Sequence, residues 1–165
     1  LRDTVSAILF NMDAIPFRSG QKGLNLNTYT IRGKRKLIQL LAINPGLEFQ
    51  SNFSAKSQTA NGAILRPVAK LQYLLAGNKK RIPESEMISP DKTWELSFDY
   101  TARYAVVNST LTGEDFSQLL RTGINYYLLS VPVQISFGFS FNYGSDPGQG
   151  LEKQHFYLAT FNLQK

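Results

Sequence analysis

Residues 131–143 read Val-Pro-Val-Gln-Ile-Ser-Phe-Gly-Phe-Ser-Phe-Asn-Tyr. Val131, Val133, Ile135, Phe137, Phe139, Phe141 and Tyr143 fall on one parity, and Pro132, Gln134, Ser136, Gly138, Ser140 and Asn142 on the other. Side chains alternate between the faces of a strand, so this stretch predicts one apolar, aromatic face and one face of small uncharged groups. A strand with lipid on one side and a wet or side-chain-filled interior on the other has this composition.

The same pattern recurs outward from this stretch. Trp94, Leu96, Phe98, Tyr100, Ala102, Tyr104 and Val106 alternate with Glu95, Ser97, Asp99, Thr101 and Arg103. Leu41, Ile43, Pro45, Leu47, Phe49, Ser51 and Phe53 oppose Glu48, Gln50 and Asn52, and Leu65 to Leu75 oppose Arg66, Lys70 and Gln72. Further strands are predicted over Thr4 to Met12, residues 24–31 and His155 to Leu163. Turns are predicted at Gly33 to Lys36, Ala55 to Gly62 and residues 145–150. Gly113 to Arg121 is a candidate single helical turn. The segment 119–143 is either one very long strand or two. The alternating runs reach 13 residues, longer than the ~5–6 of ordinary strands and enough for the ~9–11 of a membrane-crossing strand. Pro45, Pro67 and Pro132 fall inside these runs, where a missing N–H requires an edge or a bulge.

The chain holds 165 residues, enough for one domain, with 18% charged and 12% aromatic residues and no cysteine. Without cysteine there is no disulfide scaffold and no thiolate chemistry. No apolar run approaches the ~18 residues of a transmembrane helix. The net charge is +6, and residues 18–36 carry Arg18, Lys22, Arg32, Lys34, Arg35 and Lys36 without an acidic residue. These six form a candidate patch for a phosphate-rich partner such as lipopolysaccharide, with a solvated basic loop as the plainer reading; nucleic acid is not the expected partner.

The polar parity collects Glu48, Arg66, Lys70, Glu95, Asp99, Arg103 and Gln134. All would point into a barrel, where the mixed charges form an interior ion-pair network or line a pore. Glu95 and Asp99 are about 13 Å apart along a strand, too far for a carboxylate pair sharing a proton. His155 is the only histidine, so a Ser–His–acid site would have to join it to Ser136 or Ser140 on a neighbouring strand. No catalytic motif, metal-ligand set or cofactor signature accompanies it.

The segments Trp94–Val106, Val131–Tyr143 and Gln154–Leu163 resemble bacterial outer-membrane β-barrel proteins as a class. The class commonly ends on an aromatic residue, whereas Phe161 here is followed by Asn162, Leu163, Gln164 and Lys165. The resemblance implies an all-β, antiparallel, up-and-down barrel over residues 1–165 with long amphipathic strands in the outer membrane, whole or as part of a larger barrel. It implies a non-enzymatic role as pore, scaffold or component of an envelope assembly, with membrane lipid, lipopolysaccharide and envelope proteins as partners. It also implies periplasmic termini, with loops 144–152, 77–91 and 18–36 together on the outer side. The alternatives are a soluble β-sandwich or small barrel serving as a ligand-binding, capsid-like or pilus-like subunit, and a lipid-modifying enzyme centred on His155.

Overall fold

A computed structural model describes residues 6–13, 28–33, 36–53, 61–82, 91–110, 115–129, 134–146 and 151–164. They form one antiparallel sheet of nine strands: β1 (Ser6–Asp13), β2 (Thr28–Arg32), β3 (Leu37–Phe53), β4 (Gly62–Asn78), β5 (Lys92–Tyr104), β6 (Val107–Asn108), β7 (Phe116–Leu129), β8 (Gln134–Asp146) and β9 (Leu151–Gln164). The strands lie in the order β1-β3-β4-β5-β7-β8-β9, with β2 also pairing β3 and β6 also pairing β4. β1 pairs residues 46–53 of β3 and β2 pairs residues 37–41, so β1 and β2 are two segments of one lane. β6 likewise continues β5 along β4. The sheet is thus an up-and-down meander of seven lanes.

The sheet is open. Among the described residues no strand pairs the outer edge of β9 or of β1, so the closed barrel expected from the sequence is not formed by these strands alone. Nor, among the described residues, does a second sheet face the first. The lanes are joined at an upper end (connections 54–61, 109–115 and 147–150) and a lower end (33–36, 79–91 and 130–133).

Two prolines sit in interior lanes without disrupting them. The carbonyls of Ala63 and Leu65 accept hydrogen bonds from Ser109 N and Val106 N, so odd residues of β4 direct their backbone groups toward the β5/β6 lane. Pro67 shares that parity and falls between the residues paired to β6 (Ile64, Leu65) and to β5 (from Val68). Its partner-side neighbour Pro45, opposite Ala69, directs its nitrogen away from β4. It lies between the β3 residues paired to β1 and those paired to β2. Each missing N–H therefore faces a break in the neighbouring lane, where no ladder bond is lost. Pro132 lies outside the described residues.

One alternative is settled and one expectation corrected. Residues 119–143 hold parts of two strands, β7 and β8, the second of the two readings the sequence allows. From Phe116 onward the candidate helical turn is strand, because Phe116, Gln118, Leu120, Thr122, Ile124 and Tyr126 continue the outward parity set by β5.

The two faces are sorted in an unusual direction. Glu48, Arg66, Arg103, Ser117 and Ser136 are buried, all on the polar parity. Phe10, Phe49, Leu96, Ile124, Phe137, Phe139, Tyr157 and Phe161 are exposed, all on the apolar parity. A single sheet achieves this by curling around its polar face. At the lower end this inner face carries a small apolar cluster, in which Ile38, Ala76 and Ile82 are buried and Ile31 and Leu74 pack against them.

Candidate functional site

The inner face is the part of the molecule with organised polar chemistry. Its densest feature is built on three neighbouring lanes. Glu48 stands opposite Arg66, and Arg103 stands opposite Val68, one register row further on. The Glu48 carboxylate receives Arg66 through Oε1 at 3.0 Å and Arg103 Nε through Oε2 at 2.9 Å. Arg66 also donates to Gln50 Oε1 at 2.7 Å, and Gln50 Nε2 donates to Asn52 Oδ1 at 2.6 Å. Burial of three charges is tolerated here because one carboxylate answers two guanidinium groups and amide oxygens take further donors. The network ties β3, β4 and β5 together through side chains.

The remaining candidates from the sequence occupy the same face but do not converge on this network. Lys70 stands in a row with Asn44 and Thr101. Asp99 lies between Gln72 and Arg121, an opposite-charge neighbour across the β5–β7 pair. Glu95 sits near the lower end and accepts Lys92 Nζ at 2.6 Å. Gln134 starts β8 opposite Gln164.

Sequence reasoning missed Lys92 and Arg121. Lys92 has the parity of Trp94, but an irregularity at Gly77/Asn78 places it opposite Asn78, and its Nζ reaches Glu95 and lies 6.0 Å from the Tyr127 ring centroid. Arg121, the last residue of the candidate helical turn, stands in β7 opposite Asp99. The small-residue face is crowded from its neighbours at Gly138, where Asn125 Oδ1 and Thr160 Oγ1 occupy the space that a Cβ would need. That position admits no side chain while its neighbours stay in place.

His155 stands opposite Tyr143 on the apolar parity of β9, whereas Ser136 and Ser140 share the polar parity and stand opposite Asn162 and Leu158. The faces differ and the rows differ, so the strand register does not assemble a Ser–His pair from these residues. Among the described residues no group of three His, Cys, Asp or Glu side chains converges in a way that could hold a metal ion.

Of the basic patch, Arg18, Lys22, Lys34 and Arg35 lie outside the described residues. Arg32 ends β2 opposite Leu37, and Lys36 is exposed in the turn, its N donating to the Gly33 carbonyl at 3.2 Å. The resemblance put loops 144–152, 77–91 and 18–36 on one side. The register puts the 147–150 connection at the upper end and the 33–36 and 79–91 connections at the lower end, because the reversal at 130–133 adds one crossing to the count. β9 also ends at the lower end, on the opposite edge of the sheet from the basic turn.

No family model, curated protein or solved structure matches this chain.

Proposed function

We propose that this chain is a wall of a membrane-spanning β-barrel in a bacterial outer membrane, acting as a scaffold or pore component of the envelope. The observation that carries this reading is the inverted sorting of the sheet: charged residues buried on one face, aromatic and aliphatic residues exposed on the other. In water an exposed apolar surface of this extent is unfavourable, and facing lipid it is the stable arrangement.

The outward face carries a second sign. Trp94 and Tyr126 stand opposite each other near the lower end, and Tyr104 and Phe116 stand opposite each other near the upper end. The ten residue steps between the two pairs span about 33 Å along a strand, or about 25 Å across the membrane at a tilt of about 40°. That matches the roughly 25 Å apolar band between the aromatic girdles of outer-membrane barrels. Between the pairs, the outward Gln118 accepts a hydrogen bond from Tyr100 Oη at 2.9 Å, which lowers the cost of placing an amide there.

On this reading the bilayer is the first partner, and phosphate groups of lipopolysaccharide or phospholipid meet the rims. Phe139, half exposed at the middle of β8, is the test position. Phe139→Arg places a charge toward the bilayer midplane and is expected to cost about 2–4 kcal/mol of stability in detergent or lipid. Unfolding followed by the gel shift between heated and unheated samples measures it. An arginine variant as stable as the parent would mean that this face does not meet lipid.

A further inference from the structure

The lower end holds a second feature, unrelated to the inner ion network. Lys36, Lys79, Lys80 and Arg81 are all exposed there. The two connections that carry them are tied together, since Asn78 donates to the Lys36 carbonyl through N at 2.8 Å and through Nδ2 at 3.2 Å. Ile82, fully buried against Ile38 and Ala76, pins the far side of the Lys79–Arg81 stretch. The cations are thus presented on a short arch held at both ends. Across the two connections the sequence carries six basic residues (Lys34, Arg35, Lys36, Lys79, Lys80, Arg81) against three acidic ones (Glu84, Glu86, Asp91). Asp91 offsets part of this charge, lying 3.4 Å from Lys80 Nζ, and Glu95 holds Lys92.

Beside the arch opens a cleft of about 350 Å³ whose lining includes Lys79, Lys80, Asp91 and Lys92 together with Tyr126, Leu128 and Leu129. An irregularity between Tyr127 and Leu129 leaves Leu128 and Leu129 both exposed next to the outward Tyr126. The cleft therefore brings ammonium groups and bare aliphatic surface together at the rim, with the interfacial Tyr126 ring on the side toward the bilayer. Its polarity matches a molecule with an anionic phosphate at one end and acyl chains at the other.

We propose that this corner binds the phosphate headgroup of an anionic membrane lipid, with Lys79 and Lys80 taking the phosphate, Leu128 and Leu129 packing beside the glycerol region and Tyr126 meeting the first part of the acyl chains. The proposal rests on the membrane-wall reading above. Trp94, the single tryptophan, stands opposite Tyr126 and serves as the built-in reporter.

The test uses the protein in maltoside micelles, titrated with phosphatidylglycerol or phosphatidylcholine carrying brominated chains, which quench tryptophan on contact. Half-maximal quenching by phosphatidylglycerol is expected at a lower mole fraction, by about five-fold per lysine engaged. The Lys79→Glu, Lys80→Glu double variant, altered only at exposed positions, is expected to lose that preference while keeping the quenching common to both lipids. Equal quenching by the two lipids in the parent, or a preference that survives in the double variant, overturns the proposal. Inorganic phosphate added at concentrations matching the lipid must leave the preference intact; if it abolishes the preference, the corner is a free-phosphate site and the lipid assignment falls. Quenching by neither lipid overturns both the site and the membrane wall, so failure of the wall is distinguishable from failure of the site alone.

Discussion

Glu48 is the residue on which the inner face depends most. Its carboxylate is the shared partner of two buried guanidinium groups on two other strands. Glu48→Gln would leave those cations buried without their counter-charge, a loss expected to cost about 3–5 kcal/mol. Glu95→Gln, which breaks the less buried Lys92 contact, is expected to cost at most about 1 kcal/mol. Chemical unfolding of the two variants under one condition checks the difference, and equal costs would show that the Glu48 cluster is not a structural tie. Six charges of this face were legible from parity alone, since Glu48, Arg66, Lys70, Glu95, Asp99 and Arg103 alternate with apolar residues, whereas Lys92 and Arg121 on the same face were not. Which of them meet was not legible. That Glu48 rather than Asp99 gathers two arginines follows from the stagger of three strands, which no local pattern encodes. Gly138 is the converse case: its lack of a side chain is demanded by Asn125 and Thr160, which lie on the two neighbouring strands.

The strands themselves were largely readable, because a two-residue period sustained over more than ten residues is produced by little except a strand with two unlike faces. What the period could not show was where it is interrupted. Val131 and Val133 continue the parity of Ile135, so the pattern alone leaves residues 119–143 readable as one strand or two. The bulge opposite Gly77 turned Lys92 to the inner face against its apparent parity. At this scale β5 allows a direct measurement. Trp94 lies at one end of its outward row and Tyr100 near the middle. Moving the tryptophan, by Trp94→Phe combined with Tyr100→Trp, is expected to shift the strongest quenching from lipids brominated near the headgroup to lipids brominated deep in the chain. A tryptophan at position 100 that reports the same depth as Trp94 would rule out a strand crossing the bilayer.

As a whole, the described residues form seven lanes whose two outer edges no other described strand pairs, and both edge lanes run from the upper end to the lower. Protection from hydrogen exchange in micelles should therefore be graded: slowest in β4 and β5, which are paired on both sides, and fastest in β1 and β9. Mass spectrometry of the exchanged protein checks the order. A β9 as protected as β4 would show that another strand covers its edge under those conditions.

Apart from the split first lane, each lane lies beside the lane that precedes it in the chain, so the sheet can form in the order in which it is synthesised. Each closure joins segments separated by one short connection, and doubling a connection's length adds only about 0.6 kcal/mol of closure entropy. The longest of these connections is 79–91. Ile82 divides it. Once its side chain settles against Ile38 and Ala76, the first four residues of the connection are already fixed on the β3–β4 hairpin. The remaining search, from residue 83 to Lys92, is a shorter loop closing onto an existing edge. The buried isoleucine that supports the basic arch thus also shortens the longest closure of the meander, giving β5 a nearer anchor from which to find its row.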